Sequence, residues 1–141
     1  MRAKPRHFIV GMGGYPVSVV VTVGYRIDEI GALLQRNRLN ITERDIDALT
    51  SNVSNSLRAR TILFESGHAL IALAEWDGSV LCHGDLAHEV FHAVAKVFRH
   101  SLGIHLTSES EEAWAYAIDD LTQSIMAKLQ PPKKPAPKRN R

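Results

Sequence analysis

The sequence predicts a small α+β domain, and the order of its periodic segments carries that prediction. Runs rich in β-branched residues fall in the first half of the chain, whereas the last third shows two consecutive helical patterns. Strands followed by helices favour a sheet of about three to five strands with a pair of C-terminal helices packed on it. With 141 residues, 45% of them hydrophobic, the chain is long enough for one domain, expected over residues 1–130.

The first part of the chain is predicted to form two strands and two helices. The run "PVSVVVTV" (Pro16–Val23) is rich in β-branched residues and lies between glycines, which marks a strand, and "HFIV" before it is expected to pair with it. The segment "RIDEIGALLQRN" (Arg26–Asn37) has aliphatic residues at helical spacing. A second helix is expected in "NITERDIDALTSNVSNSL", capped by Asn40 or Thr42.

Two more strands and two more helices complete the predicted fold. The runs "RTILFES" and "HALIALAEW" are interpreted as strands joined across Ser66-Gly67. Asp85 is expected to cap a helix from Leu86 to about His100, which Gly103 ends. The last helix is predicted in "SESEEAWAYAIDDLTQSIMAKL".

Basic residues are concentrated at the C-terminus. The segment "PPKKPAPKRNR" (131–141) holds five of the 17 Lys and Arg and none of the 15 Asp and Glu, which leaves residues 1–130 with a net formal charge of −3. A Pro-rich basic segment with almost nothing apolar to bury is predicted to be a disordered tail. The acidic folded part, and a tail without aromatic residues, argue against nucleic-acid binding beyond a weak contact through this tail.

The N-terminus combines basic residues with an apolar run, as secretory signals do. Arg2, Lys4 and Arg6 precede "FIVGMGGYPVSVVVTVG", but glycines and a proline interrupt the run, so we interpret it as strand and not as an export signal or a membrane span. A cytoplasmic or virion-associated protein without a membrane partner is therefore expected. Cys82 is the only cysteine, which excludes a disulfide framework and a cysteine-rich zinc site.

The most informative stretch is "LAHEVFHAVAKVF", which contains His-Glu-x-x-His inside a predicted helix. Successive helical residues turn by about 100°, so His88 and His92 lie one above the other and can reach one ion. Glu89 lies at the edge of the same face, where a carboxylate can take a proton from zinc-bound water. A polar helix face can also carry this pattern by chance, so a third ligand would decide. The opposite, apolar face is expected to pack on the sheet through Val90, Phe91, Val94, Val97 and Phe98.

The histidines outside the motif are poor candidates for a third ligand. His100 lies about 18 Å along the helix axis from His88, which is too far to share an ion. His105 follows the end of the helix and would have to fold back. His83 is better explained as a surface or capping residue.

Two acidic residues at the start of the last helix are better candidates. Ser108 and Glu111 fit a Ser-x-x-Glu capping box, which accounts for Glu111 without a metal and leaves Glu112 as the preferred ligand. Tyr116 lies one turn further on the same face as Glu112 and could hydrogen-bond the site. The apolar face of this helix points away from Glu112, so Glu111 stays an alternative. That face comprises Trp114, Ile118, Leu121, Ile125 and Leu129.

Residues 85–121 resemble short His-Glu-x-x-His proteins encoded by tailed phages and prophages. Those proteins carry Ala-His-Glu-x-x-His-Ala, then a glycine, then Glu-x-x-Ala-Tyr on the following helix. The matching positions here are Ala87-His88-Glu89, His92-Ala93, Gly103 and Glu112 to Tyr116. More broadly, the pattern is similar to the gluzincin class of metallopeptidases, in which two histidines and a downstream glutamate bind zinc. The resemblance implies Glu112 as the third ligand, and Tyr116 stands where the best-studied gluzincins have an aspartate.

The motif and the resemblance together predict a minimal zinc metallopeptidase of the gluzincin type, with a zincin-like pair of C-terminal helices. The predicted site consists of Zn²⁺ on His88, His92 and Glu112, with Glu89 as general base and Tyr116 in support. The substrate is expected to be a peptide or protein that lies as an extra strand along a sheet edge, for which "HALIALAEW" is the candidate. The alternative is a non-catalytic phage structural or assembly protein, in which zinc, if bound, only joins two helices.

Overall fold

A computed structural model describes residues 4–37, 40–51 and 57–130 of the chain. These residues form four strands and four α-helices, and the third helix ends in a π-helical turn. The elements in chain order are β1 (Arg6–Met12), β2 (Tyr15–Val23), α1 (Ile27–Arg36), α2 (Glu43–Thr50), β3 (Ala59–Leu63), β4 (Ala69–Leu73), α3 (Val80–Lys96), the π-turn (Val97–Ser101) and α4 (Glu111–Leu129). The predicted α+β class is confirmed, with a four-stranded sheet in the described residues.

The sheet is mixed, and its strand order is β1-β2-β4-β3. As predicted, β1 and β2 form an antiparallel hairpin. β2 pairs in parallel with β4, and β3 pairs antiparallel with β4. A parallel pair needs a long connection, which α1, α2 and β3 supply here.

The edges of this sheet differ from those predicted. Among the described residues, β1 and β3 are the edge strands, whereas β4 lies between β2 and β3. The prediction that "HALIALAEW" forms the edge for a substrate is therefore wrong. Strand order depends on pairing between distant segments, and the local residue pattern does not record it.

Helices cover both faces of the sheet, and β2 contributes to both cores. Val19 and Val21 are fully buried in the larger core, on the side of α3 and α4. Val20 points to the other face and packs in a smaller core with Ile30 and Leu34 of α1. Successive side chains of a strand point to opposite faces, which is why one strand supplies both cores.

The second helix is confirmed, with Thr42 as its cap. The amide of Asp45 donates to the Thr42 hydroxyl at 3.2 Å, and the Thr42 amide donates to the Asp45 carboxylate at 2.9 Å, which is a reciprocal capping box. The predicted continuation of this helix at residues 52–56 lies outside the described residues. So does the predicted tail, residues 131–141.

The third helix begins earlier than predicted. Ser79 is its N-cap residue, and its hydroxyl accepts a hydrogen bond from the amide of Cys82 at 3.2 Å. The predicted cap, Asp85, lies inside the helix, where its carboxylate accepts a hydrogen bond from Arg58 at 2.8 Å. Just before the helix, hydrogen bonds from the hydroxyl and the amide of Ser79 lower the pKa of Asp77 to about 2.

The end of this helix at Gly103 agrees with the prediction. After the π-turn, Gly103 adopts a φ of +68°, a left-handed conformation that favours glycine. The amide of Ile104 then donates to the carbonyl of Phe98 at 2.7 Å, a hydrogen bond that closes the wide turn at the end of the helix.

The last helix begins at Glu111, but its cap differs from the prediction. Ser110 is the N-cap residue, and its hydroxyl donates to the carbonyl of His105 at 2.5 Å instead of accepting from a helix amide. The predicted capping box of Ser108 and Glu111 is therefore not formed. The predicted apolar face is confirmed, with Ile118 half-buried and the other members fully buried: Trp114, Leu121, Ile125 and Leu129.

Two hydrogen bonds hold α4 along β1. The amide of Gly13, in the turn after β1, donates to the carboxylate of Asp120 at 2.7 Å. The guanidinium of Arg6, at the start of β1, donates to the carbonyl of Leu129 at 3.1 Å. Residues 6 and 129 of the chain are thus brought together.

A helix that crosses a bilayer must be both long and predominantly apolar. Across residues 4–37, 40–51 and 57–130, none combines the length and the apolar character that crossing a membrane demands.

Candidate metal centre

Two imidazoles of α3 lie side by side on the solvent side of the helix. The Nε2 atoms of His88 and His92 are 3.0 Å apart, and their ring centroids are 4.6 Å apart. The side chain of His88 is 68% exposed, whereas His92 is half-buried. The four-residue spacing places both on one face of the helix, and the structure brings the two rings together.

The separation of the two Nε2 atoms fits a shared zinc ion. With Zn–N bonds of about 2.0–2.1 Å, two nitrogen ligands of a tetrahedral ion lie about 3.3 Å apart, so the pair would have to open by only about 0.3 Å. Neutral imidazoles also suit zinc as ligands. A hydrogen bond between one protonated and one unprotonated Nε2 accounts for the same distance without a metal.

Glu89 is the buried member of the motif, with 6% of its surface exposed. Its Oε2 accepts a hydrogen bond from the hydroxyl of Thr61 at 2.5 Å, while its Oε1 lies 4.0 Å from the Nε2 of His88. One carboxylate oxygen is therefore bound to the sheet, and the other lies near the histidines. A carboxylate in this position can accept a proton from a water molecule next to the histidine pair.

Thr61 is a member of the site that the sequence analysis missed. It belongs to β3, and its hydroxyl also lies 3.1 Å from the main-chain carbonyl of Glu89. Within "RTILFES", a threonine among β-branched residues indicates a strand and nothing more. The contact joins residues 28 positions apart, so no local pattern could have found it.

The strand beside the site is β3, an edge of the sheet among the described residues. Two contacts show that β3 and α3 run in the same direction. Arg58, just before β3, pairs with Asp85 near the start of α3, and Thr61 in the middle of β3 reaches Glu89 one turn further on. The edge next to the candidate base is thus β3, in place of the predicted β4.

The predicted third ligand lies in the first turn of α4, apart from the histidines. Glu112 is exposed, and Tyr116 is 70% exposed. Within residues 4–37, 40–51 and 57–130, no three His, Cys, Asp or Glu side chains lie close enough together to hold one metal ion. The structure therefore brings His88 and His92 together and does not bring Glu112 to them.

The position of Trp114 bears on the choice between the two glutamates. Its ring is buried against α3, with centroid distances of 6.4 Å to Phe91 and 5.5 Å to Phe98. At 3.6 residues per turn, Glu111 lies about 60° from Trp114 around the helix, and Glu112 about 160°. Glu111 is therefore nearer to the α3 side, and the structure removes the capping role that would have explained it.

Aromatic residues lie where α3 meets α4, next to the histidines. Phe91, predicted to face the sheet, is instead 45% exposed, and its ring centroid lies 6.2 Å from that of His92. The prediction is wrong for Phe91 because this residue lies at the margin of the apolar stripe, on the side of α4. The guanidinium carbon of Arg99 lies 5.5 Å from the centroid of the Trp114 ring, a cation–π contact at this junction. The rest of the stripe is buried as predicted: Val90, Val94, Val97 and Phe98.

Comparison with known proteins gives no assignment. No family model, no curated protein and no solved structure matches the chain.

Proposed function

We propose that the chain is a zinc-dependent peptidase of a minimal gluzincin type, encoded by a phage or prophage. The observation that supports it most is the convergence of His88 and His92 at 3.0 Å beside the buried carboxylate of Glu89. Exposed histidines one turn apart are under no general constraint to converge, and a buried carboxylate next to them is uncommon outside functional sites. The resemblance of the motif to phage His-Glu-x-x-His proteins supports the origin.

Each residue of the motif has a distinct task in this proposal. His88 and His92 would hold Zn²⁺ through Nε2, and the ion would supply Lewis-acid chemistry toward a water molecule and the scissile carbonyl group. Glu89 accepts the proton that the attacking water loses and passes it to the leaving amine. Burial and the hydrogen bond from Thr61 keep the carboxylate in one orientation.

The third ligand comes from the first turn of α4 in this proposal. The resemblance favours Glu112, with Tyr116 in support, whereas the helix geometry favours Glu111. Both glutamates are exposed, so neither side chain is buried in the core of the domain.

The proposed substrate is a peptide or protein segment in extended conformation that pairs with β3. Strand addition to an exposed sheet edge provides main-chain hydrogen bonds without a demand on the substrate sequence. β3 fits this role because it is the edge strand that contacts Glu89.

The test uses the different tasks of Glu89 and His92. Glu89→Gln keeps the size of the side chain and removes its basicity, so zinc content and folding should survive while cleavage of fluorescein-labelled casein falls by about 10²–10⁴-fold. His92→Ala should lose the zinc itself. Unchanged cleavage by the Glu89→Gln protein, or wild-type protein that takes up no zinc, would contradict the proposal.

A non-catalytic phage structural or assembly protein is the second candidate. The exposure of His88 and the distance of Glu112 from the histidine pair favour it, because a zinc ion on an open surface can join two helices without catalysis. This reading expects Glu89→Gln to complement a deletion of the gene fully and His92→Ala to fail.

A further inference from the structure

We propose that Thr61 couples substrate docking to the orientation of Glu89: its main chain pairs with the substrate and its side chain holds the base. This inference rests on the proposed function and deepens it. It assigns a positioning role to a residue outside the His-Glu-x-x-His motif, and it fixes which part of the sheet edge lies opposite the bond to be cleaved.

The side-chain half of the coupling is a pair of contacts to one residue. The Thr61 hydroxyl lies 2.5 Å from Oε2 of Glu89 and 3.1 Å from its main-chain carbonyl. A buried carboxylate needs hydrogen-bond donors, and hydrogen bonds to charged groups are stronger than those between neutral groups. Because Thr61 occupies one carboxylate oxygen, the other is left to face the histidines, 4.0 Å from His88.

The main-chain half follows from the hydrogen-bond alternation along β3. The amide of Ala74 donates to the carbonyl of Arg58, and the amide of Phe64 donates to the carbonyl of His68, at 2.8 Å each. In an antiparallel ladder every second residue pairs inward, so even-numbered residues of β3 bond to β4. The N–H and C=O groups of Ala59, Thr61 and Leu63 consequently point away from β4, toward the outer edge of the four described strands.

Thr61 is the middle one of these three residues, and its side chain hydrogen-bonds the carboxylate of Glu89. A substrate strand added at this edge therefore makes its central main-chain pair with the residue that fixes the base. The scissile carbonyl is expected within one residue of that pair. Ala59 and Leu63 contribute docking alone, since their side chains pack against the larger core.

Catalytic constants separate the two halves. Thr61→Val keeps the shape and β-branching of the side chain but loses the hydroxyl, so kcat on a fluorogenic peptide should fall about 10- to 100-fold with KM within twofold. Thr61→Ser should recover most of the loss. Ala59→Pro removes one outward N–H at the first residue of an edge strand, where proline is tolerated, and should raise KM several-fold with little change in kcat.

Thr22→Val is the matched control. Thr22 is a buried threonine of β2 whose hydroxyl has no hydrogen-bond partner among the described residues, so the same substitution there should change neither constant. The coupling would be overturned if Thr61→Val changed KM as strongly as kcat. It would also be overturned if the Thr61→Ser protein, which keeps a hydroxyl, had a kcat as low as that of Thr61→Val.

Melting temperatures test the side-chain contact without turnover. In the metal-free full-length protein, Thr61→Val should lower the melting temperature more in the wild-type background than in a Glu89→Met background, where the carboxylate is missing and only the main-chain carbonyl at position 89 is left as an acceptor. Equal shifts in both backgrounds would overturn the inference even if the protein is a peptidase. If wild-type protein cleaves nothing, the proposed function fails, and with it the catalytic role of Thr61. Non-additive shifts in melting temperature would then support only the contact between Thr61 and Glu89.

Discussion

Replacing one imidazole of the histidine pair, by His92→Ala, is expected to abolish the stabilisation that zinc gives to the folded chain. In the wild type the Nε2 atoms of His88 and His92 are 3.0 Å apart, about 0.3 Å closer than two nitrogens on a tetrahedral zinc ion. Little rearrangement is therefore needed for binding. An ion that binds the folded chain alone, at a free concentration a hundredfold above its Kd, stabilises the fold by about 2.7 kcal/mol.

That free energy corresponds to a measurable shift in melting temperature. A chain of this size gains about 4 °C per kcal/mol, so zinc should raise the melting temperature of the wild type by about 10 °C, and by less if the unfolded chain also binds zinc. The assay is a thermal melt of protein stripped with a chelator, with and without added zinc. His100→Ala, at an exposed position in the π-turn that follows α3, is the control and should keep the full shift.

A wild type that shows no shift, or a His92→Ala protein that keeps it, would contradict zinc binding by the histidine pair. The same melts decide the third ligand. If Glu112 is the third ligand, as the resemblance implies, Glu112→Gln should reduce the zinc-induced shift in melting temperature. If Glu111 is the ligand, as the helix geometry favours, Glu111→Gln should reduce it instead. A shift that neither substitution changes would mean that α4 provides no ligand.

Two further predictions concern parts of the chain away from the histidines. Removing residues 131–141 should leave the melting temperature and the zinc content unchanged, because the segment has almost no apolar side chains to bury; a clear drop on truncation would contradict this. Asp77→Asn tests the lowered pKa of Asp77, about 2 in the folded chain against an ordinary 3.8, which means that the ionised carboxylate stabilises the fold above pH 3.8 and loses this effect as the pH falls toward 2. The difference in melting temperature between wild type and Asp77→Asn should therefore be full at pH 6 and shrink between pH 4 and pH 2, and a difference independent of pH would show that the charge of Asp77 is not involved.

Local patterns predicted the elements of the fold well. Three signals depend only on residues close together in the sequence. They are the β-branched run of β2, the spacing of aliphatic residues in α1, and the glycine at position 103. Helix starts were less predictable, because several polar residues compete for the role of cap. Asp85 has the chemistry of a cap, but its carboxylate bonds to Arg58, and Ser79 takes the position instead.

The part of the candidate site that lies on α3 was predictable from the sequence, whereas the parts on other elements were not. The spacing of His88 and His92 is a property of α3 itself, and the rings do converge. Thr61 and the identity of the edge strand depend on which strand lies beside the helix, and that pairing is set by contacts over long stretches of chain. The choice between Glu111 and Glu112 depends on how α4 is rotated against α3, which the sequence of α4 alone does not determine.

The contact between Arg6 and Leu129 has a practical consequence for handling the protein. It places the start of β1 and the end of α4 at one corner of the described domain. Because α4 is about 28 Å long, its first turn lies far from this corner. Affinity tags, surface tethers or fusion partners joined directly before Arg6 or after Leu129 would start from the same corner, away from the first turn of α4. Arg6 and Leu129 are also close enough for a short linker to join them, so a circular permutant of the described domain, opened at a surface turn, should be a tolerated format for display or sensor designs.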